Sequence, residues 1–99
     1  MRKYVEVLTA ATSSKTAGNH SVIVEDGAVD ILSDETGAVR TVQSTRRFQY
    51  HGNTVCAVDD YKWLFWLSHA GWFTSSTSCA VNGYKYYFES IGYKEEELK

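Results

Sequence analysis

The sequence predicts an α+β fold: a twisted antiparallel sheet of six or seven strands, built from hairpins, with one C-terminal helix packed on it. Three observations carry this reading. Short runs of alternating apolar and polar residues, punctuated by Gly, Asp and Asn, fill the chain as far as Ser68. After Gly71 the period changes, and apolar residues recur at three- and four-residue steps. The chain has 99 residues, enough interior for one domain but not for two.

Residues 4–8 read as a first strand, with Tyr4, Glu6 and Leu8 alternating against Val5 and Val7. Residues 9–20 are small and polar and read as an exposed, mobile loop, with partner binding as its second use. Residues 21–25 and 28–32 flank Asp26-Gly27 and read as a hairpin closed by a type I′ turn. That register pairs Val24 with Val29 and Val22 with Ile31, and places Ser21, Glu25 and Asp30 on the other face. Residues 33–37 make a turn and 38–43 a further strand. Residues 46–50 and 54–58 pair around His51-Gly52-Asn53, setting Tyr50 against Val55 and Phe48 against Ala57.

Asp59-Asp60 marks the next turn, and residues 61–68 the last strand, apolar on both faces. Trp63, Phe65 and Leu67 point one way and Leu64 and Trp66 the other; a helix is the competing reading of so short an apolar run. Ala80, Val81, Tyr84, Tyr87, Phe88 and Ile91 then form the stripe of a helix. Thr74, Ser75 or Ser76 caps its start and Gly92 its end. Gly83, unfavourable inside a helix by about 1 kcal/mol against Ala, suits a close approach to the sheet. Residues 1–93 form the domain, and 94–99 an acidic, frayed tail.

Hydrophobic residues make up 43% of the chain and charged residues 22%, ordinary for a globular domain. The net charge of −2 excludes a protein governed by nonspecific phosphate binding. No apolar run approaches the roughly 20 residues that span a bilayer. Glu6 interrupts the short apolar stretch behind Arg2 and Lys3, which argues against a signal peptide. These points predict a cytoplasmic protein without membrane contact. Cys56 and Cys79 fit no zinc spacing and read as free, buried thiols, with no metal or cofactor expected.

Residues 46–93 carry a family resemblance. Tyr50, Asn53-Thr54, Val55-Cys56-Ala57-Val58-Asp59-Asp60, Gly71-Trp72, Thr74-Ser75-Ser76-Thr77-Ser78 and Ala80-Val81-Asn82-Gly83-Tyr84 stand in that order, with Gly92-Tyr93 beyond them. This pattern resembles a family of small proteins carried by bacteriophages and mobile elements. They have an Asn-Thr-x-x-Ala strand, a Trp or Tyr before a Thr/Ser-rich boundary, and a closing helix ending near Gly-Tyr. Members often carry a basic or histidine residue after the Thr/Ser run, where this chain has Cys79. The resemblance implies a phage or mobile-element origin and brings no activity with it.

Three constellations bear on function. The hydroxyls of Thr74, Ser75, Ser76 and Thr77 at a helix start suit capping first and anion contact second; without a Gly-rich loop and Lys they are no P-loop. Trp63, Trp66 and Trp72 crowd together with Tyr61, Phe65 and Phe73. One helix covers only one face of a sheet, so Leu64 and Trp66 are expected on an apolar patch of the kind that marks partner surfaces. Arg40, Arg46 and Arg47 beside Tyr50 and His51 match the arginine and aromatic chemistry of single-strand nucleic-acid binders.

No carboxylate pair, and no Ser-His or Cys-His spacing, implies catalysis, so the chain is expected not to be an enzyme. The expected function is therefore that of a small protein that binds a host protein stoichiometrically, with inhibition of a CRISPR effector nuclease as the concrete version. Its predicted contact residues are Tyr61, Trp63, Leu64, Trp66, Trp72, Arg46 and Arg47. Nucleic-acid binding is the alternative, and a homodimer pairing through the aromatic strand is a third possibility.

Overall fold

The computed structural model describes residues 2–98 and shows an α+β architecture with two helices and six strands. The order is α1 (Lys3–Thr9), β1 (Lys15–Ala17), β2 (His20–Leu32), β3 (Val39–Tyr50), β4 (Asn53–Asp59), β5 (Leu64–Leu67), α2 (Ser75–Ser90) and β6 (Lys94–Glu95). The strands lie in one sheet in chain order. Neighbours are antiparallel except β5 and β6, which run parallel because α2 carries the chain back between them.

The N-terminal segment departs from the sequence reading. Residues 4–8 are helical because Val5 and Leu8, three apart, fall on one helix face and are fully buried there. Five alternating residues satisfy a strand and a helix equally, and packing against α2 decides between them. Gly83 serves this contact rather than one with the sheet: a Cβ added there would lie 3.0 Å from Val5 Cγ2. Part of the expected loop is ordered as β1, which pairs Lys15 with Val22 and Ala17 with His20.

The Asp26-Gly27 hairpin does not form. Residues 20–32 run on as one strand whose partner throughout is β3, with Val22 opposite Phe48, Val24 opposite Arg46, and Val29 opposite Val42. The register shifts between Val24 and Gly27, so Asp-Gly serves a bulge instead of a turn. The two strands expected at 38–43 and 46–50 are likewise one. The reversal falls at 33–37, as predicted, where Ser33 donates its N–H to Ala38 O at 2.8 Å.

The β3–β4 hairpin forms around His51 and Gly52, whose φ angles of 51° and 79° suit a two-residue turn of the I′ kind. This pairs Tyr50 with Asn53 and Phe48 with Cys56, not with Val55 and Ala57. A bulge absorbs Val55 and lets it join Cys56 and Val58 in the same core. β5 is shorter than expected, since Tyr61, Lys62 and Trp63 belong to the preceding turn, where Asp59 Oδ1 accepts the N–H groups of Tyr61 and Lys62.

Both faces of the sheet are covered. Under the helices, Val5, Leu8, Phe48, Phe65, Tyr84 and Phe88 form the main core, and each contributes about 2 kcal/mol of hydrophobic stabilisation. On the other face of β4 and β5, Ala57 and Trp66 pack with Val29, Ile31 and Leu98. The far end of the β2–β3 ribbon therefore covers the surface that a single helix would have left open. Ser68 Oγ donates to Leu32 O at 2.6 Å and Ser33 Oγ to Leu98 O at 2.8 Å, fastening that cover. The acidic tail is not frayed over the described residues: Lys94–Glu95 extends the sheet and Leu98 is buried. Lys99 lies outside the described residues.

Thr74 caps α2, its hydroxyl accepting the Thr77 N–H at 3.2 Å. Gly92 ends it at φ 95°, with Tyr93 N–H donating to Phe88 O as a Schellman closure requires. Ala80, Val81, Tyr84 and Phe88 of the predicted stripe are buried, whereas Ile91 lies past the helix and is exposed.

Candidate functional site

The segment from Ser68 to Ser78 carries a connected set of polar contacts. Ser68 N–H donates to Val55 O, and Ala70 N–H donates to Ser68 Oγ, so the strand end is fixed on both sides. Ala70 and Gly71 then take φ angles of 54° and 82° in succession. A left-handed conformation costs Ala roughly 1–2 kcal/mol. The hydrogen bonds of Ala70 N–H to Ser68 Oγ, His69 N–H to Asp34 Oδ1 and Trp72 N–H to His69 O offset that cost and hold a tight reversal between His69 and Trp72.

His69 is anchored twice by one carboxylate. Its backbone N–H donates to Asp34 Oδ1 at 2.8 Å, and its Nδ1 lies 2.7 Å from Asp34 Oδ2. An ionised carboxylate only accepts, so it draws the proton to Nδ1 and leaves Nε2 as an acceptor. Ser78 Oγ stands 3.2 Å from that Nε2, in the second turn of α2. Phe73 stacks on the imidazole at 4.8 Å and a 16° interplanar angle, closing one face of the ring. The three residues are thus joined Asp–His–Ser in one chain of hydrogen bonds.

Beside this chain opens a groove of about 540 Å³, lined by Tyr50, His51, Asn53, His69, Trp72 and Thr77 among others. The volume is of the size that accepts a small organic ligand or a partner's side chain. Trp72 and Phe73 stand at its edge and on its neighbouring ridge, 63% and 67% exposed. Tyr50 and His51 also line the groove, their rings tilted at 4.3 Å, and behind Tyr50 the rings of His20 and Tyr4 stack in turn, with centroids 4.7 and 3.6 Å apart. Burial lowers the pKa of His20, and the nearby His51 and Arg2 charges add to this.

The predicted contact residues separate into different environments. Trp72 belongs to the groove. Tyr61 and Trp63 are exposed at the opposite end of α2, where Trp63 packs on Tyr93 at 4.9 Å and Tyr61 donates its hydroxyl to Asp26. Trp66 is only 7% exposed and Leu64 is half-buried beside it, so neither forms the apolar patch the sequence predicts. Val29, Ile31 and Val42 of the β2–β3 ribbon cover them. β5 is flanked by β4 and β6, and its edge at Leu64 and Phe65 is not open to a second copy.

Arg46 is a structural residue. Its side chain is 13% exposed and holds Asp60 through two bonds, Nε to Oδ2 at 2.9 Å and Nη2 to Oδ1 at 2.7 Å. Nη1 donates to Thr9 O, and the guanidinium lies over Phe48 and Phe88. Thr45 and Tyr93 hydroxyls also donate to Asp60. Burial alone would raise the Asp60 carboxyl. Those hydrogen bonds and the Arg46 charge outweigh it and hold the group below the usual carboxylate range. Arg47 lies 3.9 Å from Glu25 and Arg40 is half-buried on the distal ribbon, so the three arginines present no common surface.

Among the hydroxyls, Thr74 and Thr77 satisfy each other at 2.9 Å, and Thr77 is buried. Ser75 and Ser76 remain exposed. Cys56 is buried, which pushes its thiol pKa far up, while Cys79 is exposed on α2 and contacts Arg2 instead of being buried as expected. Among the described residues, no group of three or more His, Cys, Asp or Glu could hold a metal ion, and no helix is long and apolar enough to cross a membrane.

Sequence reasoning missed Asp34, His69 and Ser78 as a set. Asp34 reads as one of several turn residues and Ser78 as one hydroxyl among five. The one local signal was His69-Ala70-Gly71, a histidine directly before a forced reversal. No protein-family model, curated protein or solved structure matches the chain.

Proposed function

We infer that this protein works by binding another protein through the surface formed by Trp72, Phe73 and the adjoining groove. The observation that carries this is the exposure of two consecutive large aromatic side chains on a reversal held rigid by Ser68, Ala70 and Asp34. Aromatics fixed in this way contribute binding energy at little cost in conformational entropy, the usual property of interface hot spots. A stable complex requires the surrounding surface to bury at least about 1,000 Å² in total. The partner proposed is a host protein bound stoichiometrically, a CRISPR effector being the concrete version. The resemblance of residues 46–93 implies a phage or mobile-element origin, which is the reason for proposing a host protein; it does not select the effector.

Tagged wild-type protein and the W72A/F73A variant, both checked for folding by circular dichroism, should be compared as baits in a bacterial lysate. The wild type should retain a protein at a one-to-one level that survives moderate salt, and the variant should lose it. Equal retention by both, or none by either, refutes the reading. Nucleic-acid binding through Arg46, Arg47 and exposed aromatics is the second reading, and the engagement of Arg46 by Asp60 favours the first.

A further inference from the structure

We propose that Ser78, His69 and Asp34 form a nucleophilic acyl-transfer site that hydrolyses small carboxylic esters. The proposal goes beyond partner binding and does not depend on it. It rests on the connected geometry: Asp34 Oδ2 at 2.7 Å from His69 Nδ1, and His69 Nε2 at 3.2 Å from Ser78 Oγ. A serine hydroxyl is a weak nucleophile until a base in hydrogen-bond reach takes its proton, and that base needs a third group to fix its tautomer and orientation. All three roles are filled. The second bond from Asp34, to the His69 N–H, locks imidazole and carboxylate in one orientation, and stacked Phe73 restricts rotation of the ring.

The site is not sealed in the core. Ser78 is half-buried, and His69 lines the groove that also contains Tyr50, Val55, Trp72 and Thr77, where an acyl or aryl group has room. The serine side chain leans toward the N-terminus of α2, as helical side chains do. There the N–H groups of Ser75 and Ser76 have no acceptor within the helix. Thr77 N–H is taken by Thr74 Oγ1 and Ser78 N–H by Thr74 O. The two unpaired N–H groups and the helix dipole are the donors available to a developing oxyanion. Both donors sit on solvent-exposed residues, where water weakens them, so the substrate class is an ester, whose alkoxide or phenoxide leaves more readily than an amine.

In the first step Ser78 Oγ attacks the carbonyl carbon while His69 Nε2 takes the hydroxyl proton, and the carbonyl π pair moves onto oxygen. Collapse of the tetrahedral intermediate breaks the bond to the leaving oxygen, which receives the proton from His69. In the second step His69 takes a proton from water, the hydroxide attacks the acyl carbon, and the Ser78–acyl bond breaks. The proton returns to Ser78 Oγ. The sum is ester plus water giving carboxylic acid and alcohol. No further reactant is needed.

The test uses the purified full chain alone, so its outcome is independent of any partner. The protein is incubated with an alkyl fluorophosphonate, which transfers its phosphonyl group to activated serines with loss of fluoride, and is then analysed by intact mass and peptide mapping. The expected result is one adduct per chain, on Ser78. S78A should give no adduct, and H69Q should slow labelling by about 100-fold or more, the usual worth of a positioned general base. Release of p-nitrophenolate from p-nitrophenyl acetate should fall in parallel in both variants. Ala is a good helix former, so S78A retains the fold. Wild-type protein that takes up no label on Ser78, or S78A that hydrolyses the ester as fast as wild type, overturns the proposal.

Discussion

Replacing Arg46 with Met separates a structural arginine from one held ready for a ligand. The side chain makes two charge-assisted bonds to Asp60 and one to Thr9 O, and it sits over two phenylalanine rings. Met keeps the packing against Phe48 and Phe88 but leaves the Asp60 carboxylate without its cation. Removing one partner from a fully buried pair costs about 3–5 kcal/mol. Here Asp60 keeps 32% of its side chain exposed and retains Thr45 and Tyr93 as donors. Water and those donors recover part of the loss, which sets the expected cost at about 2–3 kcal/mol. For a domain of this size that is a fall in Tm of roughly 10–20 °C. Urea denaturation of wild type, R46M, D60N and the double variant measures both the cost and the coupling. The folded pKa of Asp60 lies below its ordinary 3.8, so the coupling should be complete above that value and fade as pH falls through the folded pKa. An R46M protein within about 0.5 kcal/mol of wild type at pH 7, the range of ordinary surface substitutions, would falsify the assignment of Arg46 to the scaffold.

Two further outcomes follow from the same contacts. Burial and the bond to Asp60 push the Tyr93 phenol up to about 12. Its contribution to stability should be intact below pH 10 and lost as pH rises toward that value; Y93F should remove this alkaline limb and one late-ionising phenol from the absorbance titration at the phenolate band. Leu98→Ala should cost about 2 kcal/mol, the low end for a buried leucine near a chain end, with little loss of helical ellipticity, because Leu98 packs on Trp66 and Val29 and not under α2. A change within experimental error would mean that the tail does not seal the second cluster.

The helix with its caps and the position of the β3–β4 hairpin were legible because a hydroxyl cap, a Schellman glycine and a tight turn each act within a few residues. The hairpin's register was not, because the turn falls on His51-Gly52 and a bulge takes up Val55. The Asp26-Gly27 reading failed because the same dipeptide serves a turn or a bulge, and the choice belongs to the partner strand β3, which pairs along the whole of β2. Residues 4–8 failed for a similar reason: Val5 with Val7 suits a strand and Val5 with Leu8 a helix, and the seat at Gly83 decides for the helix. Trp66 is covered for another reason. One helix does leave a sheet face bare, but a strand pair long enough to fold over that face is not visible in residue patterns. At the candidate site, Trp72 and the hydroxyl boundary could be found by eye. The Asp34–His69–Ser78 chain could not, because its members meet only after the 33–37 turn has been carried across the sheet to the end of β5.

The chain-order meander has a consequence for how folding is completed. From β1 to β5 each strand joins the one made just before it, so every closure spans a short loop with a small entropy cost. The tail is different. Leu98 O meets Ser33 Oγ from 65 positions away, a distance made short only by the strands already assembled between them. It works as a clasp on a finished zipper: it can shut only over a completed meander. Trp66 lies directly beneath it in the second cluster. This one indole is therefore an internal gauge of completion, in contact with water while the sheet assembles and dry once Leu98 has seated.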